Sequence, residues 1–493
     1  MLAATSMLVA ACGGGSSEKD STGGTLTLGV DVAPRSWDPA QQVSAGTGVV
    51  LWQPVYDTLL KYAPDGSIEP NAAESFSYNE DRTALTLKLR DGMTFTDGAA
   101  VDAAAAKASL EHMRDSAGPD SVRLAGVQVV ALDDRTVELS TERPNALLAQ
   151  FLTWAPGILA SPASLASPDL ATNPVGSGPY TFVSQESTSG TSLVYQRNPN
   201  YWNADAYPYD RVVIRVMEDE TARLNALRSG QIDAGPVSAA NADQAESAGL
   251  TLLGNAVNWN GMFIMDRDGK QVPALGDVRV RQAMNKVFDR DAIVKAIYQG
   301  HGVVNNQIFN TNSDAYKADL LAASAYDVEA AKKLMNEAGY SGGFDLTIPE
   351  IPGRTDMLSP IIKQQLGLIG IDVNIESVPA TQYLDKFLKG VYPVIPFGLP
   401  SGTPVADVDA SLAPNAIWNV FKTQDPKLTQ LIADLQVAPE DKQKEIVQSI
   451  NEFVTDQAWF SVLAFPESFW AFKGGVSAEK MTGNSAPYLY TFK

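Results

Sequence analysis

Between residues 276 and 300 the apolar positions Val280, Ala283, Met284 and Val287 fall at the i, i+3, i+4, i+7 spacing of a helix with one buried face. Asp277 stands where an N-cap is needed, because its carboxylate can accept from the free N–H groups of the first turn. Asp289 stands in the same relation to a second short helix, with Ile293, Val294 and Ile297 inward and Gly300 as the stop. The stretch predicts two capped helices joined by a tight turn. Upstream, the pattern switches between periods. Residues 24–30 alternate and predict a strand, while residues 49–62 carry helical spacing through Leu51, Trp52, Val55 and Leu59, ended by Pro64-Asp65-Gly66. Leu85, Leu87 and Leu89 point one way and Thr86, Lys88 and Arg90 the other, the period two of a half-buried strand. Asp91-Gly92 and Asp97-Gly98 mark turns, residues 103–113 an Ala-rich helix capped by Asp102, and residues 127–130 with 136–139 a hairpin. Residues 70–165 therefore read as a compact α+β insertion.

The second half alternates helix and strand. Residues 212–216 predict a strand, 220–229 a helix, 327–339 an amphipathic helix and 344–348 a strand. A helix over 361–369 follows, then a strand over 371–378 with Ile371, Val373 and Ile375 inward, and a helix over 383–388 stopped at Gly390. Strands separated by helices of this length predict a βα-built lobe.

At 493 residues the chain exceeds what one core supports, so two or three domains are expected. A net charge of −20 argues against a nucleic-acid partner, which needs a Lys/Arg excess, and fits a well-solvated monomer. Cys12 is the single cysteine, so neither an intramolecular disulfide nor a thiolate metal site can form. Residues 7–11 are small and apolar, and Cys12 is followed by Gly13-Gly14-Gly15-Ser16-Ser17. This resembles a bacterial lipobox with a flexible tether, which makes Cys12 the expected lipidation site. No Lys or Arg precedes Cys12, although signal peptides usually begin with positive charge, so translation is expected to start further upstream. No run of 18 apolar residues follows Cys12, and attachment to the membrane is expected through lipid alone.

Catalytic chemistry is poorly represented. Of the two histidines, His112 falls on the 103–113 helix as a surface or partly packed ring, and His301 follows the Gly300 stop in a loop. That supply disfavours Ser-His-Asp, Cys-His and His-rich zinc or nickel sites. Walker A, Gly-x-Gly-x-x-Gly and His-Glu-x-x-His are all missing from the sequence. No enzyme, metal or cofactor is expected.

Several stretches, in order, resemble the family 5 extracytoplasmic solute-binding proteins of ABC transporters, the group of oligopeptide-, dipeptide- and nickel-binding proteins. They are Val55-Tyr56-Asp57-Thr58-Leu59-Leu60, Pro70-Asn71-Ala72-Ala73-Glu74-Ser75 and Leu89-Arg90-Asp91-Gly92-Met93-Thr94-Phe95-Thr96-Asp97-Gly98. Val175-Gly176-Ser177-Gly178-Pro179-Tyr180, Asn198-Pro199-Asn200-Tyr201-Trp202 and Ser229-Gly230-Gln231-Ile232-Asp233 follow, and then the 276–300 stretch itself. The resemblance implies an α/β fold of the two-lobed periplasmic-binding-protein type II kind with an extra α+β subdomain. It further implies a signal and tether over 1–24, a first lobe from 25–69, 170–261 and 470–493, the extra subdomain over 70–169, and a second lobe over 262–469. The implied function is hinge closure on a small solute, peptides included, and delivery to ABC permease subunits from the outer face of the bacterial cytoplasmic membrane. A surface lipoprotein that keeps the scaffold but acts as a sensor or adhesion partner without transport is the alternative.

Pocket residues should be aromatic walls with a few placed polar groups. By position relative to the family these are Trp37, in an exposed-looking loop, Trp52, Trp259 with Asn258 and Asn260, Phe397 and Trp418. Trp259 and Trp418 stand out because their surroundings read as Asn-rich loops, whereas Trp202 reads as structural. In peptide-binding members an aromatic residue shortly before an Asp marks where the ligand's α-amino group is gripped. Here that region is the Gly/Pro-rich loop leading to Asp407 and Asp409, without the usual Trp. An Asp there would neutralise an amino-bearing ligand.

Overall fold

Leu26, Leu28 and Val30 are buried along the strand Thr25–Val30, which runs parallel to Arg211–Val216 in register from Thr25 opposite Arg211 to Val30 opposite Val216. This pair is the centre of a seven-stranded sheet in a computed structural model that describes residues 23–352 and 354–493. Its order is Thr251–Asn255, Ser468–Phe472, Ala234–Val237, Thr25–Val30, Arg211–Val216, Ser192–Arg197 and Tyr180–Phe182. A second sheet, of four strands, runs Gly302–Val303, Phe460–Pro466, Asn258–Ile264 and Val394–Pro400. The parallel pair Phe344–Glu350 and Ile371–Ser377 lies beside it with the helices Val278–Lys286, Val328–Glu337 and Ser359–Gly367. The chain passes from the first sheet to the second between Asn255 and Asn258 and returns between Pro466 and Ser468, so two adjacent strand-to-strand links join the lobes.

A third unit packs on the first lobe. Its antiparallel sheet Ala73–Tyr78, Ala84–Leu89, Thr136–Ser140 and Gln128–Ala131 is covered by the helix Ala103–Asp115. Asp102 caps that helix, accepting from Ala105 N at 2.8 Å, and Ala106, Leu110 and Met113 bury its inner face. The 276–300 stretch forms the two expected helices, Val278–Lys286 and Arg290–Ile297. Asp277 accepts from Arg279 N at 2.8 Å and Asp289 from Ala292 N at 3.0 Å. Arg281 and Arg290 are buried and serve as braces. Arg281 donates to the carbonyls of Leu275 and Gln457, and Arg290 to those of Val462, Asn285 and Ser324.

Three local expectations change. The helix expected over 49–62 is only Gly48–Trp52, because Pro54 has no N–H to continue the ladder and its ring crowds the preceding turn. Beyond it the chain is buried on all sides until strand Leu60–Tyr62, so apolar spacing there reflects burial and not a helix face. Trp37 is not exposed: its ring is 5.1 Å from Phe182 and 6.2 Å from Tyr195, inside the first lobe's core. Asp407 lies on the helix Pro404–Ser411 and not in a loop, since a proline in the first helical turn costs no hydrogen bond. Trp259 likewise lies in a strand, Asn258–Ile264.

Candidate functional site

The landmark stretches of the first lobe converge on one buried carboxylate. Tyr201 Oη donates to Asp57 Oδ1 at 2.8 Å, while Ser177 Oγ and Trp202 Nε1 donate to Oδ2 at 3.2 and 3.4 Å. Burial raises the Asp57 carboxyl to about 6, and these donors hold it down from a larger rise. Gly178 abuts the same segment so closely that a Cβ would lie 2.4 Å from the carbonyl carbon of Val55. The arrangement ties Asp57, Ser177 and Tyr201 into a scaffold joint. Trp202 belongs to it, with the Arg90 guanidinium 4.2 Å from its ring.

A cavity of a different character lies between the extra unit and the second lobe. Its volume is about 290 Å³, and Arg123, Trp259, Ile308, Asp407, Ser411 and Trp418 contribute to its lining. Period two along Asn258–Ile264 puts Trp259, Gly261 and Phe263 on one face. The cross-strand partners Leu399, Phe397 and Ile395 share that face. Gly398, on the neighbouring strand, leaves room for the Trp259 backbone, whose carbonyl oxygen would be 2.1 Å from a Cβ there. Trp259 packs at 4.8 Å on Phe263 and 5.7 Å on Phe460 and is 2% exposed, so it is both cavity wall and core. Trp418, only half-buried, leans on Phe387 at 4.9 Å and Phe397 at 5.7 Å.

The helix Pro404–Ser411 presents Asp407, Ala410 and Ser411 to the cavity at i, i+3, i+4. Asp407 accepts from Ser401 Oγ at 3.0 Å and from Gly402 N at 2.9 Å. Burial outweighs these bonds and raises its carboxyl to about 7, so near neutral pH it is poised between charged and neutral forms. Ser401 itself is tied to the inter-lobe link, its N–H donating to Val257 O at 2.7 Å. Arg123 comes from the extra unit. Its Nε donates to Asp120 at 2.7 Å, and its guanidinium lies 4.6 Å from the Trp154 ring and 5.3 Å from that of Phe151.

Of the residues singled out from sequence, Trp259, Asp407 and Trp418 line this cavity, and Phe397 stands behind it in the aromatic cluster with Tyr383 and Trp418. Four others are elsewhere. Trp37 and Trp52 are buried in the first lobe, Trp52 donating through Nε1 to Val43 O at 3.0 Å. Asn258 and Asn260 sit on the strand face opposite Trp259, and Asn260 Nδ2 donates to Tyr298 Oη at 2.9 Å. Cys12 lies outside the described residues. Arg123 and Ile308 carry no sequence signal for a role here, since only the fold brings them to Asp407. His112 pairs with Asp38 at 2.7 Å and His301 with Asp243 at 3.1 Å, both away from the cavity. Among the described residues no cluster of three or more His, Cys, Asp or Glu is arranged to hold a metal ion, and no helix is long and apolar enough to cross a membrane.

Residues 67–415 match the family described as bacterial extracellular solute-binding proteins, family 5, middle part. A glutathione-binding protein of Pectobacterium atrosepticum is 26% identical over 66% of this chain, a match that spans only 64% of that relative's length. A putative ABC transporter peptide-binding protein of Brucella ovis is 26% identical over 83% of this chain and 81% of its own. Among solved structures, HbpA2 of Haemophilus parasuis superposes with a TM-score of 0.85 at 21% identity, over 95% of this chain and 99% of that one. The periplasmic binding protein DppA of Helicobacter pylori, in complex with the peptide STSA, gives 0.76 at 23% identity, over 96% and 98%. These likenesses establish a two-lobed α/β binding-protein fold.

Proposed function

The chain belongs to the bacterial extracellular solute-binding proteins of family 5, and from that membership we propose that it captures a small amino-bearing solute, short peptides foremost, and hands it to an ABC importer's permease. The family is one of extracytoplasmic binding proteins and not of enzymes, so the chemistry to account for is recognition. The observation that carries the reading is the cavity between the extra unit and the second lobe, where aromatic walls from Trp259 and Trp418 flank the Asp407 carboxylate. At about 290 Å³ it lies just below the roughly 300–1,000 Å³ usual for small-molecule pockets, which suits a small solute. Relatives described as peptide- and glutathione-binding point to the same chemistry, an ammonium group beside amide bonds.

Capture proceeds by closure of the lobes about the links at 255–258 and 466–468. A solute that contacts both sides favours the closed form by the free energy of contacts absent from the open one. Cys12 carries lipid and holds the monomeric receptor at the outer face of the membrane, and the apposed permease receives the solute. Two experiments test this. Thermal denaturation with a panel of di- to tetrapeptides and amino acids should show a concentration-dependent rise in Tm, because a ligand of the native state stabilises by mass action. Cells expressing Cys12→Ser should release the protein from the membrane fraction, and cells lacking it should lose uptake of the solute that raises Tm. Binding without any uptake defect would instead favour the sensor or adhesion reading.

A further inference from the structure

A second cavity, of about 260 Å³, is built from the second lobe alone. Gln282, Asn285 and Lys286 reach it from the helix Val278–Lys286, Ser324 from the turn Ala318–Ser324, and Asn451 and Asp456 from the helix Glu440–Asp456. Neither the first lobe nor the extra unit contributes to the named lining, so the cavity persists whether the lobes are apart or closed. Gln307 and Asn451 are each 1% exposed and form its floor, whereas Ala323 and Asp456 are exposed and mark its mouth.

The amides of the floor are held by one another and by backbone carbonyls. Asn451 Nδ2 donates to Gln307 Oε1 and Ala315 O, both at 2.7 Å, and Gln307 Nε2 to Asn306 Oδ1 at 3.2 Å and Lys317 O at 3.0 Å. Asn306 Nδ2 donates in turn to Leu320 O at 2.7 Å and Ser324 Oγ at 2.6 Å. A network satisfied in this way is rigid and presents fixed groups to the cavity. What it leaves over is mixed in kind. Ser324 Oγ accepts from Asn306 and keeps its own proton to donate, and Lys286 adds an ammonium. Gln282, whose Nε2 donates to Asp456 O at 2.8 Å, keeps its Oε1 to accept, and the Asp456 carboxylate accepts beside it. Ile308, Leu334, Val454 and Phe460 supply apolar surface between these groups. A hydroxyl both donates and accepts, so several hydroxyls on a short carbon frame meet the donors, the acceptors and the apolar wall together. A ligand with net charge would set a like charge against Lys286 or Asp456.

Two residues connect this cavity to the capture site. Ile308 lines both, and Phe460 lines the second while packing edge-on, at 5.7 Å, against Trp259 in the wall of the first. Close-packed side chains pass a displacement on to their neighbours. We propose that the second-lobe cavity is a separate binding site for a small uncharged polyol or monosaccharide, and that its occupation changes solute affinity through Ile308 and Phe460. The site stands apart from the capture reading, and only the coupling rests on it. By linkage the coupling is reciprocal, so solute changes polyol affinity by the same factor.

The test is saturation-transfer NMR of the full protein with a panel running from glycerol to the hexitols, together with pentoses and hexoses. Wild type should bind at least one of them saturably. Lys286→Met should weaken that binding about tenfold, the size of one lost charge-assisted contact. Ala323→Trp, at the exposed mouth, should abolish it while leaving the amide network intact. Titration calorimetry then reads solute affinity with and without saturating polyol, and a change of about fivefold or more is expected, with an equal change in polyol affinity when solute is added first. Without polyol, both variants should bind solute within about twofold of wild type. No saturable binding to wild type, or binding unchanged in both variants, overturns the site. Equal solute affinity with and without bound polyol overturns the coupling and leaves the site standing. If no peptide binds wild type, the capture reading fails, while the polyol titration still decides the site.

Discussion

Replacing Asp407 by Asn is expected to move stability and binding in opposite directions. Burial raises the wild-type carboxyl from 3.8 to about 7, and the bonds from Gly402 N and Ser401 Oγ only partly offset that rise. The native state therefore keeps a proton that the unfolded chain has already lost. The contribution is fully present below about pH 4 and is lost as the pH rises through about 7. A separation of about three pH units corresponds to an ionisation penalty on the order of 4 kcal/mol above pH 8. Asparagine keeps the shape, can accept from Gly402 N–H and donate to Ser401 Oγ, and carries no charge. At pH 8.5 Asp407→Asn should raise the Tm of the ligand-free protein, and at pH 5 the two proteins should melt within a degree or two of each other. Binding runs the other way. Loss of the countercharge should weaken an amino-bearing solute by about ten- to a hundredfold at pH 8. In wild type the affinity should drop about tenfold between pH 8 and pH 6, as the ionised fraction of Asp407 falls to about a tenth. Scanning fluorimetry and titration calorimetry at pH 5, 6, 7 and 8.5 read both quantities. A variant that melts lower at pH 8.5 and binds unchanged would refute the reasoning, because Asp407 would then be a structural acid.

Three further substitutions separate wall from scaffold. Trp418→Ala, at a half-buried ring, should weaken solute binding at least tenfold while lowering the apo Tm by only a few degrees, and unchanged affinity would remove Trp418 from the site. Trp259→Ala should lower stability by about 3–5 kcal/mol as well as binding, because that ring also fills the core beside Phe263 and Phe460. Tyr201→Phe removes the 2.8 Å donor to Asp57, which should cost about 1–3 kcal/mol in chemical denaturation and leave solute affinity unaltered.

Local chemistry was the legible part of this chain. The caps at Asp102, Asp277 and Asp289 and the stop at Gly300 depend on residues within one turn, and they appear where the spacing put them. Apolar spacing runs on past the helix Gly48–Trp52 because a fully buried segment satisfies any apolar period, and Pro54 is the residue that marks the helix end. Aromatic residues were harder to sort, since a core ring and a pocket wall bury the same surface. Trp37 and Trp52 fill the first lobe, whereas Trp259 and Trp418 line the cavity. Strand period alone separates Asn258 and Asn260 from Trp259, but only once the segment is known to be a strand, which its Asn-rich composition hides. Arg123 was invisible because its proximity to Asp407 is created by docking of the extra unit against the second lobe, through contacts such as Thr403 with Gln150 and Ala146 N with Gln436 Oε1 at 3.3 Å.

Native mass spectrometry of the purified protein tests capture at this cavity most directly. The account predicts a bound species whose released mass and fragments identify a small amino-bearing solute, present on wild type and diminished on Asp407→Asn and Trp418→Ala. Peptides added to the stripped protein should restore a one-to-one adduct. An adduct retained equally by both variants, or a stripped protein that takes up no peptide, would contradict it.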